Sequence, residues 1–228
     1  MTVIAFVNAP FVQVTPGPTP QLSPLIAAAN PDGTPDRAFP GAGQWLVTTI
    51  NATRMTWGQT AWCAVRSSCE LHALASSPGA QASADQAMRR SQEAAADLAG
   101  TWAPHATWNP TADLADIGGP SAGLMLTLAF LDAATDGDLT GGHVIAGTGT
   151  INTLAEVGPV VGVNHKVAGA AAAGADVFFT PTARTTEAVT AAAGTGLTVI
   201  PVAYLTDALA WLCDHGATSS VCQSPALK

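Results

Sequence analysis

HVIAGTGTINTLAEVGPVVGVNHKVAGAAAAGADVFFTP, residues 143–181, sets a strand-like run, a Gly/Pro turn, an alanine-rich helix and a second strand-like run in succession, and that order decides the fold. HVIAGTGTI (143–151) reads as a strand, and EVGPVVG (156–162) turns the chain. The helix begins near Asn164 and carries Lys166. VFFTP (177–181) is the next strand, followed by an alanine-rich helix from about Thr185, the strand TVIPV (198–202) and a last helix from Tyr204 to Cys213. Strands and helices alternating at this spacing predict an α/β (α+β) fold class.

Upstream, SAGLMLTLAFLDAAT (121–135) is apolar on nearly every side, the profile of a helix buried in the core with Ser121 at its start. Ser83 with Gln86 makes a capping box and Gly100 a stop, so a helix is expected between them. QWLVTTINATRM (44–55) reads as one strand, Phe6 to Val14 as another, and a short strand-like piece surrounds His105 to Trp108. TPGPTP, NPDGTPD and FPGAG make residues 15–43 an irregular wrapping segment.

At 228 residues the chain buries a sizeable core without help from metals or bridges. Charged residues make up 11% and the net charge is −8 with no basic run, which excludes nucleic acid as a partner. No stretch reaches the ~20 apolar residues that cross a bilayer. MTVIAFVNAPFVQV (1–14) lacks the positive region and cleavage site of a signal peptide. It reads either as an ordinary first strand or as the stump of an anchor. The four cysteines fall as close pairs, Cys63 with Cys69 and Cys213 with Cys222, which points to small-loop disulfides and an extracytoplasmic protein. Sequence permits three connectivities. His72 and His215 beside the cysteines also leave a structural zinc conceivable, although the spacing fits no common zinc pattern. No metal and no cofactor is expected.

Lys166 is the only lysine apart from Lys228 at the C-terminus. A lysine pKa of roughly 10.4 keeps the group charged unless burial lowers it. Val163, Val167 and a run of alanines cannot solvate an ammonium, and the first turn of a helix disfavours positive charge. The alternative is a surface lysine with its ammonium in water. GGPSAG (118–123) places the Ser121 hydroxyl at a helix entrance, where free backbone N–H groups favour an oxyanion. Gly119, Pro120, Ala122 and Gly123 around it let a substrate backbone approach. A serine before an apolar helix is equally the common N-cap. A desolvated lysine can act as base to a serine, and a hydroxyl of AGTGTI, Thr148 or Thr150, would orient it; plain β-propensity accounts for these threonines as well.

DIGGPSAGLM (116–125), IAGTGTI (145–151), EVGPVVGVNHK (156–166) and GADVFFTP (174–181) together resemble the proteolytic domain of the Lon family of Ser-Lys peptidases. The chain is most similar to the ATP-independent PDZ-Lon branch of extracytoplasmic bacterial proteases, whose segment after the membrane anchor FVQVTPGPTP (11–20) and GQWLVTTI (43–50) resemble. The resemblance implies a Lon proteolytic domain, ribosomal protein S5 domain 2-like, at residues 81–228, with an extended N-terminal segment at 1–80 packing on it. It makes Ser121 the nucleophile, Lys166 the general base and Thr148 the orienting hydroxyl. It further implies unfolded or flexible protein substrates, a homo-oligomer that is usually a hexamer ring, and a membrane anchor upstream of this chain. Gly118 stands where the family carries an acid three places before the serine, and Val161-Gly162 stands for the usual glycine pair. The roughly thirty residues from Ala80 to Asp116 leave no room for a PDZ module, and no phosphate loop of the G-x-x-x-x-G-K-[ST] type occurs. Two other readings remain: a catalytically silent Lon-like scaffold or binding module, favoured by Gly118 and Val161, and a serine hydrolase with His165 or His105 as base.

Overall fold

A computed structural model describes residues 7–26, 28–29, 35–36, 41–65, 69, 71–73, 80–103 and 119–227. Phe6, the strand expected around His105 to Trp108, Asp116 and Gly118 lie outside the described residues. In chain order the elements are β1 (Asn8–Pro16), β2 (Ala28–Ala29), β3 (Pro35–Asp36), β4 (Gln44–Val47), β5 (Ile50–Thr56), α1 (Trp57–Ala64), β6 (Leu71–Ala73), α2 (Ala80–Trp102) and α3 (Gly123–Ala134). There follow β7 (Val144–Gly147), β8 (Thr150–Ile151), β9 (Val157–Gly158), α4 (Val163–Ala172), β10 (Val177–Pro181), α5 (Thr185–Ala192), β11 (Thr198–Val202) and α6 (Leu205–Asp214).

The chain is a mixed α/β protein with parallel and antiparallel sheets, organised by an all-parallel sheet in the order β11-β10-β7-β4. Both faces of such a sheet are covered, so its strands are apolar on both sides. Trp45, Val47, Ile145, Val177 and Phe179 face one core with α2, α3 and α6. The alternate residues Leu46, Ala146 and Phe178 face a second core with Val163, Val167 and Ala170 of α4 and Ala188 and Ala192 of α5. Period-two alternation therefore feeds two cores from one strand. Within the first core α3 is buried at every residue from Gly123 to Asp132. The small stripe Ala94, Ala95, Leu98 and Ala99 of α2 closes over it.

Several expected elements differ from those observed. Residues 44–55 form two strands, not one: β4 ends at Val47, and β5 joins the antiparallel sheet β5-β1-β6. HVIAGTGTI is likewise broken: Thr148 N still donates to Phe179 O (3.0 Å), the last bond of the β7–β10 ladder, and Gly149 N then turns to Ser121 O (2.8 Å). Helix α2 begins at Ala80, so Ser83 lies inside it rather than at its cap, and it runs through Gly100 to Trp102. Trp102 and Ala103 pack on the core, and that burial outweighs the weak helix propensity of one glycine. The wrapping segment is partly regular. Leu22 N donates to Trp45 O (2.8 Å) and Val47 N to Pro20 O (3.0 Å), so this segment satisfies the outer edge of β4.

Cys63–Cys69 and Cys213–Cys222 are both disulfides, which suits an oxidising, extracytoplasmic compartment. The thiolates a zinc ion would need are thereby used, and His215 stacks on Trp211 with ring centroids 4.0 Å apart. Among the described residues no helix is long and apolar enough to cross a membrane. Thiol titration should find no reactive cysteine before reduction and four after it.

Near the end of α3, Asp132 is 1% exposed; Trp45 Nε1 donates to its Oδ2 and Leu139 N to its Oδ1, each at 2.8 Å. Burial outweighs these bonds and pushes the carboxyl up to about 6 from 3.8. Because the folded state binds this proton more tightly than the unfolded chain, its contribution is complete below pH ~4 and is lost as pH rises through about 6, a change of roughly 3 kcal/mol. Urea unfolding at a series of pH values should show stability falling across that window, and Asp132→Asn should flatten the fall.

Candidate active site

Ser121 sits in a 3-10 turn, Pro120–Ala122, that feeds directly into α3. Gly119 precedes it at φ 101°, a left-handed conformation that favours glycine. Neither the turn nor α3 is capped by a side chain, so Ser121 is not spent as an N-cap. The loop is held from two sides. From the β7–β8 break, Gly149 N donates to Ser121 O (2.8 Å), Leu124 N to Gly149 O (3.0 Å) and Thr148 Oγ1 to Ser121 O (3.2 Å). From α2, buried Ser91 donates to Pro120 O (3.0 Å) and accepts from Ile151 N (3.2 Å). A Cβ on Gly123 would collide with Ser91 Oγ, so this glycine serves the close approach of α2.

Lys166 lies on the first turn of α4, which starts after Gly162 at φ 67°. It is 3% exposed. Its Nζ lies 2.6 Å from Ser121 Oγ, 2.9 Å from Thr148 Oγ1 and 3.4 Å from Thr48 O. None of these partners carries a charge. Burial lowers the amine from 10.5 to about 8, since nothing charged compensates the lost hydration.

The proton inventory follows from the acceptors. Thr148 Oγ1 gives its hydrogen to Ser121 O, so towards Lys166 its oxygen accepts. Thr48 O can only accept. A neutral amine has two hydrogens and one lone pair; the hydrogens satisfy Thr148 Oγ1 and Thr48 O, and the lone pair faces the Ser121 hydroxyl. In that neutral state the Ser121 O–H points at a base; below about pH 8 the ammonium prevails and Nζ donates to Ser121 Oγ. After taking that proton the ammonium has three donors and the same three oxygens around it, so the cage accommodates both states.

The pair opens into a cavity of about 300 Å³ lined by Gly119, Pro120, Ile50, Pro159, Val160 and Val161, among others. Ala122 is buried at 4% exposure, and neither Ala122 nor Gly123 lines this cavity. Thr150 lines it, but the lysine's hydroxyl partner is Thr148. Half-buried His165 precedes Lys166 on α4 and does not line the cavity; His105 lies outside the described residues. Val161 stands 70% exposed at the rim.

Two contributors escaped the sequence reading. Thr48 marks the break between β4 and β5, and its hydroxyl donates to Gly147 O at 2.9 Å, which fixes the carbonyl that faces Lys166. No signal in QWLVTTI announces that break. Ser91 had a visible one: it is a single hydroxyl on the apolar stripe it shares with Ala94, Ala95 and Leu98.

Because the chain has two lysines, ¹³Cε-lysine labelling should give two NMR signals. The Lys166 signal should titrate near 8; a Lys166 midpoint above 10 would contradict the desolvated amine. Ser91→Ala, which leaves Ile151 N without its acceptor, should lower stability by about 1–2 kcal/mol in urea unfolding. No protein-family model matches the chain, and no curated protein matches it.

Proposed function

We propose that this chain is an ATP-independent serine endopeptidase of the Lon type, in which Ser121 attacks the scissile carbonyl and Lys166 is the general base. The observation that carries this reading is the 2.6 Å contact between Ser121 Oγ and a buried lysine amine whose lone pair the surrounding acceptors leave for the serine. As Oγ bonds to the carbonyl carbon, its proton passes to Nζ. The resulting ammonium returns the proton to the leaving amine as the C–N bond breaks, and an ester forms on Ser121. Water then gives a proton to Nζ and its oxygen to the ester carbonyl; as the C–Oγ bond breaks, Nζ returns the proton to Oγ, which restores the serine and the neutral amine. Thr148 and the Thr48 carbonyl hold the amine in line throughout. The acid that the family places three residues before the serine is not needed to hold Nζ in this scheme, since two neutral acceptors do so.

The Lon reading extends to an S5 domain 2-like proteolytic fold, to assembly as a homo-oligomer and to an extracytoplasmic setting, the last supported by the two disulfides. On the same reading the substrates are chains already flexible or unfolded. The purified protein should cleave unfolded casein or a quenched peptide, with kcat/KM rising with pH through a midpoint near 8 as the amine loses its proton. Ser121→Ala and Lys166→Met should each lose at least about 10³-fold. Cleavage that survives in Lys166→Met would move the base to a histidine, and an inactive but folded parent would leave the scaffold reading.

A further inference from the structure

A second cavity, of about 420 Å³, adjoins the first, and Thr150 and Pro159 line both. An extended peptide advances about 3.3 Å per residue, so a chain seated at Ser121 passes this second cavity within a few residues of the bond to be cut. Its wall is the turn between β8 and β9 together with the start of α6.

Two side chains give it a chemistry. Glu156 and Tyr204 face each other across an antiparallel bridge. The flanking bonds, Val157 N to Ala203 O (2.8 Å) and Leu205 N to Ala155 O (2.9 Å), make it a non-hydrogen-bonded pair, the arrangement that brings side chains closest on one face. The carboxylate and the phenol ring, the latter 48% exposed, therefore flank the same space. Glu156 is also positioned: Asn152 Nδ2 donates to its Oε2 at 2.7 Å, and Asn152 Oδ1 accepts from its backbone N at 3.0 Å. Ala155 takes φ 61° to make that turn, a conformation an alanine adopts only when its surroundings impose it. Among the described residues Glu156 is the only charged one lining the cavity. The nearby Arg184, at 3.5 Å from Glu187, is paired elsewhere.

A carboxylate and an aromatic ring lining one space are a combination that accepts a guanidinium, by charge-assisted hydrogen bonds at its edge and stacking on its plane. We propose that this cavity is a subsite for an arginine side chain of the substrate, close to the scissile bond, with Glu156 as counter-charge and Tyr204 as platform. The proposal rests on the endopeptidase reading for its place along the peptide. The net charge of −8 acts in the same direction, drawing cationic segments to the molecule.

The test walks arginine, and its uncharged isostere citrulline, through the positions flanking the cleaved bond of one quenched peptide. At one position arginine should exceed citrulline in kcat/KM by about three- to tenfold, the range expected of an exposed ion pair plus a cation–π contact. That ratio should fall to near one in Glu156→Gln and decline in Tyr204→Ala. The same peptides, fluorescently labelled, are titrated by anisotropy against Ser121→Ala, with and without Glu156→Gln. Cleavage with no arginine preference at any position, or a preference that survives Glu156→Gln, overturns the subsite and leaves the endopeptidase standing. Arginine-dependent binding that Glu156→Gln abolishes, with no cleavage by the parent, sustains the subsite and overturns the endopeptidase. Neither cleavage nor arginine-dependent binding overturns both.

Discussion

Everything at the site depends on how two neighbouring parallel strands end. β4 and β7 are in register with Val47 beside Gly147, so the next residues on each, Thr48 and Thr148, emerge together at the carboxyl edge of the sheet. One presents a carbonyl and the other a hydroxyl to the same amine. The carboxyl edge of a parallel sheet is where α/β proteins commonly place ligands, because the ladder ends there and backbone groups come free. Here the freed groups receive a desolvated lysine. Thr148 N is in turn taken up by Phe179 O of β10, so a third strand fixes the position of the second.

The cost of this arrangement is spread over the fold. A lysine at 3% exposure with neutral partners is poorly solvated, and the surrounding packing must hold it there. It does so because α4 is anchored by Val163, Val167 and Ala170 in the second core, while the serine loop is tied to the first core through α3 and Ser91. The sheet lies between the two cores, and the pair forms where elements from both faces meet at its end. Asp132, at the other end of α3, is a second buried ionisable group; it differs in having two N–H donors that partly offset its desolvation.

Much of this was legible in residue pattern. The buried helix from Gly123, the Gly162 entry to α4, VFFTP and TVIPV, and the pairing of Ser121 with Lys166 all follow from apolar periodicity, turn residues and the rarity of lysine. What the pattern missed is tertiary in origin. QWLVTTINATRM and HVIAGTGTI have unbroken β-propensity, and they break where tertiary partners take the next backbone groups: Lys166 Nζ donates to Thr48 O, and Gly149 N donates to Ser121 O. Gly100 looked like a terminus because a local rule has no knowledge of Trp102 and Ala103 packing on the core. The Glu156–Tyr204 pairing joins residues far apart in the chain, which no local signal can reveal.

Strand β4 has one more consequence. It belongs to the N-terminal segment, yet it is an integral member of the sheet, and 118 positions separate Thr48 from the lysine it faces. A chain made from its amino end thus holds Thr48 first, Ser121 later and Lys166 last. Until α4 docks on the sheet the serine faces no amine, and until β4 docks the amine lacks one of its acceptors. Completion of the fold and completion of the Ser121–Lys166 contact are the same event, and under the proposed endopeptidase reading a half-folded chain has no organised nucleophile to turn on itself or its neighbours.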